Sequence, residues 1–194
     1  MATYNVCKTF LKIFLKILFL CLFFVPLSGY SAKENLFFEI LEPESLNYVF
    51  KVRQAKSFGG IFNLQFSRIS LVLADPLHGC SPLQNSYLVQ NSVVLIQRGE
   101  CSFLSKTLNA EQAGAMATVI YDKDTSNDWQ FIDMVEDGTE RKVTIPAVFL
   151  LGRDGHNIRQ VLENNEMSEA IISIPVNVTG VPFHSYKFPP WSLV

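Results

Sequence analysis

Two stretches of this 194-residue chain hold the side chains with the most chemical reach. The first is LIQRGECSFLSK (95–106), where an apolar run ends at Arg98-Gly99 and Cys101 stands just ahead of a helical pattern. A thiol at a helix start can be a nucleophile of lowered pKa, because the helix dipole favours the thiolate. It can equally be half of a structural disulfide. The second is YDKDTSNDWQFIDMVEDGTE (121–140), with seven acidic residues beside one lysine. Asp122, Asp124, Ser126, Asp128 and Asp133 fall at the spacing of EF-hand loop positions 1, 3, 5, 7 and 12. Asn127, however, stands where that loop needs glycine, Asp133 where it needs glutamate, and the segment follows a strand instead of a helix. No metal is therefore expected. A solvated loop is the plain reading. Trp129 and Phe131 set among acids also resemble an interface hot spot, which makes Asp124, Asp128, Trp129 and Phe131 candidate partner-binding residues. The alternative is that the same aromatics anchor the loop to a core.

Catalytic machinery is sparse. The chain has no H-E-x-x-H and no G-x-S-x-G, the patterns of zinc peptidases and of a nucleophile elbow. Its three histidines, His78, His156 and His184, are scattered. Redox chemistry of the C-x-x-C kind has no motif here, and the apolar run 93–97 is followed by one glycine, Gly99, too few to cradle a dinucleotide phosphate. No catalytic residue and no cofactor is expected. A Ser-His-Asp set assembled in space leaves no local motif, so a hydrolase with a non-local triad stands as one alternative.

The compartment decides how Cys101 is read. Lys8, Lys12 and Lys16 precede the apolar run ILFLCLFFVPL (17–27), which gives way to SGYSA. This is the pattern of a secretory signal, with an apolar core too short for a spanning helix. Residues 1–32 are expected to be removed, by cleavage somewhere within 28–32. No later segment is apolar enough to span a membrane. Without those residues three of sixteen basic side chains leave and all eighteen acidic ones stay, so the net charge moves from −2 to −5. An acidic chain with no basic cluster is a poor nucleic-acid binder. Cys7 and Cys21 leave as well, and Cys80 and Cys101 remain. In an oxidising compartment an even pair is most simply a disulfide, with a free thiol the alternative. Asn177-Val178-Thr179 has the N-glycosylation form.

The elements that must position these residues follow from periodicity. LFFEIL (36–41), LNYVFKV (46–52), IFNLQF (61–66), ISLVLA (69–74), SVVLIQRG (92–99), ATVIYD (117–122), VTIPAVFLL (143–151) and AIISIPVNV (170–178) read as strands. SVVLIQRG is apolar without alternation, as a strand buried on both faces would be. Ser102 is placed to cap a helix through Ala113 that ends at Gly114, making 93–122 a strand–helix–strand unit with parallel strands. Gly152–Gly155 reads as a turn before a short helix, NIRQVLENN (157–165), the second of two β–α–β-like steps. The tail 181–194, rich in proline and aromatics, reads as extended chain packed back on the body through residues such as Trp191, or else as a binding segment.

Four of these pieces, in order, resemble the protease-associated domain. They are GCSPL (79–83), VVLIQRGECSF (93–103), AEQAGAMATVIY (110–121) and IPAVFLLGRDG (145–155). The resemblance implies one α+β domain over 33–180, with a β-barrel or sandwich-like sheet core flanked by short helices. It implies that Cys80 and Cys101 are joined, as in many secreted members. It also implies a non-catalytic module that binds a protein or peptide, or an accessory that modulates a separate peptidase. The expected product is a secreted, N-glycosylated protein whose partner and oligomeric state the residues leave open.

Overall fold

A computed structural model describes residues 35–178 and 185–192 of the chain. The expected signal segment lies outside the described residues. Among the described residues seven strands form a closed barrel: β1 (Asn35–Glu42), β2 (Val49–Gln54), β3 (Phe66–Leu73), β4 (Val93–Gln97), β5 (Ala117–Tyr121), β6 (Ala147–Leu150) and β7 (Glu169–Ile174). The order around it is β1-β2-β6-β5-β4-β3-β7. Strands β3, β4, β5 and β6 run parallel to one another, and every other pairing is antiparallel. Among the described residues three α-helices accompany them: α1 (Ser86–Val89), α2 (Phe103–Gln112) and α3 (Gly152–Asn164). The architecture is α+β, as expected. Among the described residues no helix is long and apolar enough to cross a membrane.

The parallel strands are continuous apolar runs because both of their faces are covered. Every residue of β5 is buried. Val119 and Tyr121 belong to one hydrophobic cluster with Phe38, Phe50, Leu71, Ile158 and Leu162. Ile120 turns the other way, to a cluster with Val94, Ile96, Phe149 and Ala110 of α2. Phe38 and Phe50 stack with ring centroids 5.1 Å apart, and each such fully buried side chain stabilises the fold by about 1.5–3 kcal/mol. In α2 the Ser102 hydroxyl accepts the Ser105 N–H, the cap its sequence predicts. The strand–helix–strand unit β4-α2-β5 is parallel, also as predicted.

Several boundaries differ from expectation, each for a physical reason. IFNLQF is not a strand before Phe66: β3 pairs with β7 from Phe66↔Ile174 onward, β7 ends at Ile174, and Ile61 and Leu64 project outward. The strand expected over 143–151 is confined to 147–150, the one over 170–178 ends at Ile174, and the one over 46–52 begins at Val49 after a 3-10 turn at Glu44–Leu46. The second β–α–β step is absent, because β7 lies between β1 and β3 and does not pair with β6. Gly152–Gly155 is not a turn but the first turn of α3. Its glycines serve close packing. A Cβ on Gly152 would sit 1.8 Å from the Asp124 carbonyl oxygen, and one on Gly155 would sit 2.2 Å from the Tyr121 side chain.

Candidate functional site

Register places the ends of three parallel strands side by side: Gln97 pairs with Tyr121, and Tyr121 with Leu150. The loops that follow therefore start together, at Arg98, Asp122 and Leu151. In open parallel sheets this C-terminal edge is where ligands bind, and here it carries both stretches singled out by the sequence.

The loop after β4 is locked. Cys101 is bonded to Cys80, with their Cα atoms 5.8 Å apart, so the free-thiol alternative does not hold. Behind the bond lies Lys106 of α2, fully buried. Its ammonium donates to the carbonyls of His78 and Gly99, both at 2.6 Å, and lies 3.4 Å from Cys80 Sγ. Burial lowers its pKa to about 8, with nearby Glu100 opposing the drop. Asn109 Nδ2 donates to the Gly79 carbonyl at 2.9 Å. His78 Nε2 faces Glu100 at 3.2 Å, and its buried Nδ1 has no hydrogen-bond partner.

The loop after β5 is held by charge. Asp122, almost entirely buried, meets Arg98 at 3.1 Å and accepts from Asn127 Nδ2 at 2.9 Å. Asn127 closes its own turn, accepting the Gln130 N–H and donating to the Gln130 carbonyl, both at 2.9 Å. Arg153 of α3 pairs with Asp128 at 2.9 Å and gives its N–H to the Asn127 carbonyl at 3.1 Å. Arg153 also donates to the Trp191 carbonyl at 3.1 Å, and the Trp191 indole N–H donates to Asp154 at 2.8 Å. Burial raises the Asp154 pKa, against the pull of the Trp191 and Ser192 bonds. The tail is thus packed on the body at Trp191, whose ring also meets Tyr48 edge-on.

Arg98 joins the two loops. It lines a cleft of ≈ 380 Å³ with Glu100, Cys101 and Phe103, and another of ≈ 290 Å³ with Lys123, Asp124, Ser126, Asn127 and Trp129. The second cleft is lined by two cations, by carboxylates and by an indole that is 73% exposed. An exposed indole beside guanidinium and carboxylate groups offers stacking, cation–π contact and charged hydrogen bonds to a ligand.

The sequence-predicted residues separate in space. Trp129 faces solvent. Asp124 is exposed and accepts from the Ser126 N–H and hydroxyl, which lower its pKa. Asp128 is occupied by Arg153. Phe131 turns inward, edge-on to Phe149 at 6.4 Å and covered by the Arg53 guanidinium at 5.0 Å. Asn177 is exposed and its carbonyl accepts the Tyr186 hydroxyl at 3.3 Å. Three of the four acids at calcium spacing answer to separate cations: Asp122 to Arg98, Asp128 to Arg153, Asp133 to Arg53 and Lys56. Among the described residues no three His, Cys, Asp or Glu side chains converge as a metal site would require. Sequence reasoning missed Arg98, Asn127, Arg153 and Lys106. Arg98 and Asn127 stood in the two stretches singled out above without being given a role, and nothing in the pattern of α2 marked Lys106 as buried.

Comparison with known proteins bears on the same region. A family model described as PA domain matches residues 68–158, which include both loops. A PRADC1-like protein of Drosophila melanogaster is 42% identical over 159 residues, 81% of this chain and 81% of that protein. ER degradation-enhancing alpha-mannosidase-like protein 3 of Xenopus laevis is 32% identical over 52% of this chain, but only 11% of its own length is matched. Among solved structures, a zinc aminopeptidase from Bacillus subtilis superposes with a TM-score of 0.51 at 19% identity, over 72% of this chain and 29% of that one. That likeness concerns the fold alone.

Proposed function

The chain belongs to the protease-associated (PA) domain family, and from that premise we propose that it is a non-catalytic module that binds a protein or peptide segment at the C-terminal edge of its parallel strands. The observation that carries this reading is the cleft that Arg98, Lys123 and the exposed Trp129 line together. A large aromatic left in water beside oriented charges is the composition of an interface hot spot. The Asp122–Arg98 and Asp128–Arg153 pairs hold its walls without blocking the indole.

The module works in the secretory route, after loss of residues 1–32, with a glycan on exposed Asn177. The Cys80–Cys101 bond is in keeping with that compartment. A second reading, accessory modulation of a separate luminal or extracellular peptidase, draws support from one finding. The chain resembles 19% of signal peptide peptidase-like 2 of Arabidopsis thaliana, as a part within a larger protein.

Cross-linking capture from secreting cells tests the binding reading, with an Asp128→Ala/Trp129→Ala variant beside the wild type. A partner held by the wild type and lost by the folded variant supports it; a partner kept by both removes the cleft from consideration. Identification of the captured protein as a peptidase would favour the accessory role.

A further inference from the structure

Lys106 has no part in binding at the cleft, and it makes the two halves of the disulfide unequal. Its ammonium touches Cys80 Sγ at 3.4 Å from within the core. Both cysteines are half-buried, but Cys101 lines the open cleft with Arg98 and Ser102, and Cys80 does not. We propose that Cys80–Cys101 is a thiol-exchange site, in which a small thiol attacks Cys101 and Cys80 leaves as a thiolate held by the Lys106 ammonium. In the first step the incoming thiolate forms a new S–S bond to Cys101 Sγ. The Cys80–Cys101 bond breaks, and its electron pair departs on Cys80 without any net change in protons. A second thiolate then attacks the incoming sulfur, releases Cys101 as a thiolate, and leaves the two small thiols oxidised to their own disulfide.

Both features that govern exchange point in this direction. Access decides which sulfur is attacked, and the thiol of lower pKa departs faster. A cation in contact lowers a thiol's pKa, and here the contact is with Cys80. The end of α2 competes weakly for Cys101, because a helix end carries about half a charge and the Ser102 hydroxyl already takes the Ser105 N–H. Burial brings the Lys106 pKa to about 8, which leaves the ammonium form prevalent at neutral pH. Opening the bond would leave Gly99 and Glu100 tied to residue 78 only through Lys106 and the His78–Glu100 contact, loosening the wall that Arg98 shares between the clefts. The inference stands whether or not the cleft takes a partner.

The test is reaction of the native protein, purified from cells that express it, with reduced glutathione, followed by acid quench and peptide mass spectrometry. The glutathionyl group is expected on Cys101, and Lys106→Met is expected to slow its appearance about tenfold. An adduct on Cys80, an even split, an unchanged rate in folded Lys106→Met, or no exchange before unfolding would each overturn the proposal. Should Lys106→Met fail to fold, the position of the adduct in the wild type decides the matter, and Lys106→Arg, which keeps the cation, is expected to react near the wild-type rate.

Discussion

The loops after β4 and β5 start from paired residues of adjacent strands, yet they are held by different means. The first is short, bonded covalently to residue 80, and backed by a fully buried ammonium that satisfies two carbonyls. The second is long and rich in acids, and its contacts are mostly ion pairs and side-chain-to-backbone hydrogen bonds near solvent. Covalent closure and buried charge-assisted hydrogen bonds resist opening, whereas partly exposed ion pairs contribute about 0–1 kcal/mol each. One wall of the candidate site is therefore fixed and the other adaptable. The residue left free, Trp129, is on the adaptable wall.

The largest effect should come from removing the fixed wall's closure. Cys80→Ala/Cys101→Ala is expected to lower stability by about 3 kcal/mol in urea unfolding, in line with a loop of this length. A loss under about 1 kcal/mol would mean that Lys106 and the barrel hold that loop unaided. Next is Gly152→Ala, whose Cβ would meet the Asp124 carbonyl oxygen at 1.8 Å. Forcing the second loop off α3 should cost about 2–3 kcal/mol, read by the same denaturant midpoint.

Lys106 gives the comparison a pH signature. The folded protein releases that proton near pH 8, whereas an ordinary lysine keeps it to 10.5. Between those values the unfolded chain binds more protons, so this residue makes stability rise with pH. Lys106→Met should flatten that rise in urea midpoints measured from pH 7.5 to 10.5. Equal slopes in the two proteins would contradict the buried ammonium. The smallest effects on stability belong to the adaptable wall. Asp128→Ala should cost less than about 1 kcal/mol and Trp129→Ala less than about 0.5 kcal/mol, so any loss of binding in them reports on the surface and not on folding.

Much of this was legible in the sequence where local chemistry and tertiary structure agree. The unbroken apolar run at Val93–Ile96 marked a strand covered on both faces, and Ser102 marked its helix start. The glycines of α3 misled because their cause is distant: Gly152 and Gly155 answer to Asp124 and Tyr121, not to a turn. IFNLQF misled because a strand needs a neighbour, and the pairing of β3 with β7 begins only at Phe66. At the site, the sequence brought Trp129 and the acids to notice but could not tell Trp129 from Phe131, two residues apart on one loop. Packing against Phe149 separates them. The cations that organise the loop, Arg98 and Arg153, come from the end of β4 and from α3, before and after the loop in the chain, and nothing local tied them to its acids.

The central claim, that partners bind at the edge carrying Trp129, is tested most directly by photo-cross-linking. A photoreactive phenylalanine analogue would replace Trp129 in one protein and Tyr87, 77% exposed on α1, in another. Adducts from position 129 and none from position 87 are the predicted result. Adducts from position 87 alone, or equal yields from both, would contradict it.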